Sequence, residues 1–149
     1  MPVVPQVMAL ADIAYRDAEG YDAALNTLDI YHAPLRKPNE RRPVVAFIHG
    51  GNWGGGDKAC FGDADDALPS WFVRRGCVFA AINFRLPGNA RSPTASVSDA
   101  LDDLAKALKW LSINARRFGG GTSGLVLLGY SSGAHLAALL ASDASHLQR

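Results

Sequence analysis

The chain has 149 residues, of which 48% are hydrophobic and 19% charged, with a formal net charge of +1. That composition fits one globular domain with a real core and excludes a disordered polypeptide. No basic block concentrates the charge, so there is no electrostatic case for nucleic acid or an anionic membrane surface as a partner.

Met1-Pro2-Val3-Val4-Pro5 has no positive flank, and no apolar run approaches the roughly 18 residues needed to cross a bilayer. A cytoplasmic protein with no membrane partner is expected. The cysteines, Cys60 and Cys77, match no metal-binding or redox spacing, so no metal site is expected and Cys77 reads as a buried structural residue.

In chain order, Thr27-Leu28-Asp29-Ile30-Tyr31 alternates and predicts a half-exposed strand, followed by a charged, proline-bounded loop over residues 34–43. Val44-Val45-Ala46-Phe47-Ile48 is a continuous apolar run, as in a parallel strand buried on both faces, and it ends at His49-Gly50-Gly51. A short helix is predicted over residues 68–75, stopped by Gly76, with the next buried strand over residues 77–82. Ser96, with Asp99 three residues on, predicts a capped helix whose apolar stripe is Val97, Leu101, Leu104, Leu108 and Leu111. Gly119-Gly120-Gly121 stops it. The run Leu125-Val126-Leu127-Leu128 then passes through Gly129-Tyr130-Ser131-Ser132-Gly133 into a second apolar helix pattern. The alternating order of strands and helices predicts an α/β sandwich with a mainly parallel sheet and flanking helices.

A strand running through G-x-S-x-G into a helix makes a turn tight enough to lift a serine hydroxyl above the strand end. Glycines at both flanks remove side chains that would collide there. Ser131 is the candidate catalytic nucleophile, and its hydroxyl needs a neighbouring base to take its proton. His49-Gly50-Gly51-Asn52-Trp53 also follows a strand, with little side-chain bulk, so its backbone N–H groups can converge on one point. Gly51, Asn52 and the N–H of Ser132 are the candidate oxyanion hole, His49 and Gly50 the residues supporting that loop, and Trp53 and Tyr130 candidate pocket residues.

The chain resembles the N-terminal half of the α/β-hydrolase superfamily, nearest to kynurenine formamidase-like and hormone-sensitive-lipase-like serine esterases. The resemblance is carried by Leu28-Asp29-Ile30-Tyr31, by His49-Gly50-Gly51-Asn52-Trp53 with Gly56-Asp57-Lys58, by Ala81-Ile82-Asn83-Phe84-Arg85-Leu86, and by Gly129-Tyr130-Ser131-Ser132-Gly133-Ala134-His135-Leu136-Ala137. It implies cofactor-free hydrolysis of a small ester or N-formyl amide through an acyl-enzyme on Ser131. Tyr130 and Ser132 depart from the family, which usually has histidine or an acid before the serine and alanine after it.

In that family the acid and the histidine of the triad follow the nucleophile at a distance. Here only His135, Asp143 and His146 follow Ser131 as candidates, all on or just past the elbow helix. Residues 1–149 are therefore expected to be the N-terminal part of a single α/β-hydrolase domain, with the later strands missing and little activity alone. Residues 125–129 would then form an open apolar sheet edge, inviting self-association or a partner chain. A non-catalytic remnant or binding module, and one half of a split hydrolase, are the alternative functions. His49 is expected to hold the oxyanion loop rather than act as base, and His32 and His146 to lie at the surface. Asp57 and Lys58 read as a solvated loop pair or an anchor of the loop, and Trp71, Phe72 and Trp110 as helix residues packed on the sheet.

Overall fold

In the computed structural model the described residues are 5–16, 21–61 and 67–148; Met1–Val4, and the terminal reading made on them, lie outside that set. The first strand, β1 (Met8–Ala14), had no clear alternation to announce it. It is followed by β2 (Thr27–His32), β3 (Arg42–Ile48), α1 (Leu68–Arg74), β4 (Val78–Ile82), α2 (Val97–Asn114), β5 (Gly120–Gly129) and α3 (Ser132–Ser142). The strands form one sheet in the order β1-β2-β4-β3-β5. It is mixed: β1–β2 and β2–β4 pair antiparallel, whereas β4–β3 and β3–β5 pair parallel.

The continuous apolar run of β3 is explained by its place between β4 and β5, with helices on both faces. Because side chains alternate along a strand, Val44, Ala46 and Ile48 join the core that includes Leu104, Leu108 and Leu111 of α2 and Leu136 and Leu140 of α3. Val45 and Phe47 face the other way, with Val73 of α1 and Phe79 of β4. The chain leaves β3 through α1 to reach β4 on one side, then crosses by α2 to β5 on the other. Strand order thus reverses at β3, and the loops after β3 and β5 meet at the carboxyl edge of the sheet, where α/β folds open a crevice.

Three sequence expectations change. Strand β2 is interior rather than half-exposed, because β1 covers its outer side and its polar face is itself covered: Asp29 is buried beneath Lys58, and Tyr31 meets Phe79 edge-on at 6.2 Å. His32 is buried, with its ring 5.5 Å from that of Phe118. The glycine triplet does not simply stop α2. The helix runs into a 3-10 turn (Ala115–Phe118), Gly119 adopts the left-handed φ of 81° that ends it, and Gly120 already pairs with Arg42 in β5.

The start of α2 is as expected. The Ser96 hydroxyl accepts the Asp99 N–H at 3.2 Å while Asp99 accepts the Ser96 N–H at 2.8 Å, a capping box typically contributing about 1 kcal/mol. These bonds also hold the Asp99 carboxyl below the usual range. Further along α2, Asp103 is fully buried and accepts Arg85 Nε at 2.8 Å and the Arg85 N–H at 3.0 Å, with Arg16 on its other oxygen. This cluster fixes the chain leaving β4 to the helix.

Removing one partner from such a cluster leaves buried charge uncompensated. Asp103→Asn is expected to destabilise the fold by about 3 kcal/mol, whereas Lys106→Gln, which breaks an outer pair with Asp102, should cost less than about 0.5 kcal/mol. Urea denaturation of the two variants checks the contrast, and equal midpoints would refute it.

Candidate active site

Ser131 stands between β5 and α3 with φ 53° and ψ −121°, a backbone state that costs a non-glycine residue on the order of 1–3 kcal/mol. The surrounding bonds enforce it. The Tyr130 N–H continues the β3–β5 ladder to Ile48 O at 3.1 Å, while Gly133 N–H donates to Tyr130 O and Ala134 N–H to Ser131 O, each at 2.9 Å. The flanking glycines are required by space: a Cβ on Gly133 would lie 2.2 Å from Ile48 O, and one on Gly129 would lie 2.5 Å from the Ala134 Cα. Ser131 is exposed and Ser132 is buried as the first helical residue, so the Ser132 N–H has no acceptor within the helix.

The loop after β3 is equally tight. Gly51, Asn52 and Trp53 follow one another at positive φ, of 136°, 53° and 62°. Gly50 brings this loop against the elbow, since a Cβ there would lie 2.9 Å from Tyr130 O and 3.1 Å from the Ser131 Cβ. Of the residues singled out from sequence, His49, Gly50, Ser131, Ser132 and Tyr130 therefore meet at one point. Gly51, Asn52 and Trp53 form the outer, exposed curve of the loop.

His49 is packed beneath the start of this loop. It is buried, stacks on Phe84 at 4.6 Å between ring centroids, and donates from Nδ1 to Gly50 O at 2.8 Å. Burial pushes its pKa down, against weaker opposing effects of Gly50 O, Asp57 and Asn83.

The far end of the loop is anchored rather than solvated. Lys58 is buried, with Nζ 2.8 Å from Asp29 and 2.7 Å from Asp12. Burial alone would lower its pKa, but its hydrogen bonds to Asp12 and Asp29 outweigh that and raise it. Its N–H donates to Asn83 Oδ1 at 2.6 Å, and Asn83 Nδ2 donates to Asp57 at 3.0 Å and to Ala24 O at 2.9 Å. Sequence reasoning passed over Asn83. Its signal was a polar residue directly after the apolar run of β4. Asn89 was missed too; it donates to Gly54 O at 2.7 Å and braces the loop from the segment preceding α2.

No imidazole among the described residues bonds to the Ser131 hydroxyl. His32 contacts Ala33 O, His49 donates to Gly50 O, and His146 lies 3.8 Å from Asp143. His135, one turn into α3, accepts the Trp53 indole N–H at Nδ1. Among the described residues no group of three His, Cys, Asp or Glu is placed to hold a metal ion, and no helix is long and apolar enough to cross a membrane. Cys60 and Cys77 are free, the first exposed and the second half-buried, so Cys77 is less enclosed than expected.

Two adjoining apolar cavities, of about 440 and 370 Å³, flank the site on the α1 face and share Phe47, Leu68 and Tyr130. Tyr130 thus lines a pocket, whereas Trp53 borders neither cavity. Trp71 also differs from expectation: it faces outward into the larger cavity beneath Arg75 instead of packing on the sheet.

The sheet order, the serine turn after β5 and the glycine loop after β3 define a partial α/β-hydrolase fold. Residues 28–148 match the family BD-FAE, and the chain belongs to it. It is 32% identical to Esterase LipQ of Mycobacterium tuberculosis over 122 residues, covering 80% of this chain and 27% of that protein. It is also 32% identical to the probable isoprenylcysteine alpha-carbonyl methylesterase ICME of Oryza sativa subsp. japonica, covering 78% of this chain and 26% of that protein. Among solved structures, Esterase B from Lactobacillus rhamnosis superposes with a TM-score of 0.77 at 25% identity, covering 98% of this chain and 44% of that one. A Thermogutta terrifontis esterase, Est2, superposes with a TM-score of 0.66 at 28% identity, covering 91% of this chain and 43% of that one. The chain thus spans about a quarter of the length of these curated relatives and under half of these esterase structures.

His49 gives the fold a pH dependence whose sign follows from its buried neutral ring. Its native pKa lies below the ordinary 6.5, so protons bind the unfolded chain more readily than the native one. This contribution to stability is full above pH 6.5 and declines as pH falls below it, at up to about 1.4 kcal/mol per pH unit. The carboxyl of Asp99 titrates lower still, so its own loss belongs to more acidic pH. Urea denaturation between pH 7 and about 5 should show the slope, and His49→Gln should flatten it; identical slopes would refute the assignment.

Proposed function

We propose that this chain carries the nucleophile and the oxyanion loop of a serine carboxylesterase or arylformamidase-like hydrolase. Its substrate is a small ester or N-formyl amide. The observation that carries the reading is the strained elbow at Ser131, held against Gly50 of the loop after β3. Strain of this kind persists only where surrounding structure enforces it, and here it exposes a hydroxyl above the sheet edge. The esterase and lipase names of the relatives support the same chemistry.

In this reading the Ser131 oxygen attacks the acyl carbon and forms a tetrahedral intermediate. Its negative oxygen accepts hydrogen bonds from the N–H groups of Gly51, Asn52 and Ser132. Collapse expels the alcohol or amine and leaves an acyl-enzyme, which water releases. Each donor contributes about 3–4 kcal/mol to transition-state stabilisation in sites of this kind. The proton on the hydroxyl needs a base, and each histidine described here is engaged elsewhere or remote from Ser131. In this reading the triad acid and histidine are supplied by further polypeptide.

The chain alone is expected to hydrolyse p-nitrophenyl acetate at close to background and to react only slowly with a fluorophosphonate at Ser131. Addition of a polypeptide that completes the sheet and supplies the late acid and histidine should give turnover, lost in Ser131→Ala. Rapid stoichiometric labelling of Ser131 in the isolated chain would overturn the missing-base reading. Turnover that survives Ser131→Ala would overturn the nucleophile.

The same reading bears on association. Strand β5 is the outer strand of the described sheet, and Val126 on it is half exposed. A parallel edge of this kind offers unpaired N–H and C=O groups to another chain. The isolated protein should self-associate at high concentration, and Val126→Lys should lower the mass measured by light scattering. A monodisperse monomer, stable over days at high concentration, would refute the proposal.

A further inference from the structure

The ends of the loop after β3 are each tied down. His49 and Gly50 hold its start, while Lys58 and Asn83 hold its finish and Asn89 holds Gly54 O. The curve between, from Gly51 to Trp53, is where the backbone is most strained, with three consecutive residues at positive φ. A bulky tryptophan at φ 62° is unusual, because its Cβ crowds the backbone, and it stays there only if something holds it.

Only two hydrogen bonds among the described residues engage that curve. One is local, from Gly54 N–H to Asn52 O at 2.8 Å. The other crosses the site: Trp53 Nε1–H donates to His135 Nδ1 at 3.3 Å, with the rings edge-on at 81° and 5.7 Å between centroids. Accepting at Nδ1 fixes the neutral ring with its proton on Nε2. His135 is in turn tied to the nucleophile's own residue, since its backbone N–H donates to Ser131 O at 3.3 Å. The path from the strained curve to Ser131 is one side-chain bond and one backbone bond.

We propose that Trp53 and His135 are positioning residues, a cross-brace that holds Gly51 and Asn52 in register with Ser131. His135 acts through Trp53 and touches no reacting atom. The inference rests on the nucleophile and oxyanion-loop reading above, and it adds a reason for a histidine one turn beyond the serine. It also gives the exposed Trp53 a purpose that its place outside both apolar cavities leaves open.

The test uses the full 149-residue chain and two variants of His135. His135→Asn places an acceptor oxygen near the position of Nδ1, whereas His135→Leu keeps apolar bulk without an acceptor. The chain has three tryptophans, so 15N-tryptophan labelling gives three indole N–H resonances, and Trp53→Phe identifies the relevant one. His135→Leu should shift that resonance and speed exchange of the same indole N–H at least tenfold, with the melting temperature unchanged. His135→Asn should leave both close to wild type. Fluorophosphonate labelling of Ser131 should slow about tenfold in His135→Leu and less than twofold in His135→Asn. Unchanged exchange in His135→Leu would overturn the brace, as would equal labelling rates in all three proteins. If Ser131→Ala is labelled as fast as wild type while the exchange responds as stated, the brace stands and the nucleophile reading falls.

Discussion

The carboxyl end of β3 meets the start of α3 at a distance that only glycine permits. Ile48 O accepts the Tyr130 N–H at 3.1 Å and sits where a Cβ on Gly133 would come within 2.2 Å. That approach draws the helix down onto the central strand and leaves the chain one residue, Ser131, in which to turn. It also brings Gly50, two residues beyond Ile48, against Ser131 itself. The elbow and the glycine loop are two consequences of one packing constraint, and a side chain larger than hydrogen at Gly133 would disturb both.

Around this contact the protein uses buried polar groups where an apolar core would not suffice. Asp29, Lys58, Asn83 and Asp103 are all buried, and each is hydrogen-bonded or ion-paired. Burying an ion pair seldom adds much stability over an apolar replacement, because desolvation offsets the attraction. What these groups supply is direction. Lys58 and Asn83 fix where the loop after β3 returns to the sheet, and Arg85 with Asp103 fixes where the chain leaves β4. A strained curve between firmly held ends keeps its shape, because each end is tied to a different part of the sheet.

Membership of the BD-FAE family sits beside a length well short of the esterases the chain resembles. The described sheet has unequal edges. On one side β1 and β2 run antiparallel and close the sheet over a buried strand; on the other, β5 carries the elbow and pairs only with β3. The strand that leads into the strained turn at Ser131 is therefore also the one whose outer edge is open among the described residues.

Periodicity and turn residues were enough to place β3, β4, both long helices and the elbow, because each depends on local rules. An apolar run suits a strand covered on both faces, Ser96 and Asp99 cap each other within one turn, and glycines at 129 and 133 announce a turn too tight for side chains. The resemblance of the motifs was enough to identify the superfamily. Other features depended on residues distant in sequence. Asp29 and Tyr31 read as a solvent face until β1 and Lys58 covered them, and His32 as a surface residue until Phe118 packed on it. Trp53 read as a pocket residue, and His135 as one of three triad candidates on or just past the elbow helix, because nothing in the spacing of positions 53 and 135 says that they touch. The sequence alone determined which backbone turns were possible and which residue types stood at them. Only the tertiary structure decided which polar groups were buried, since burial is set by what the rest of the chain lays over a residue.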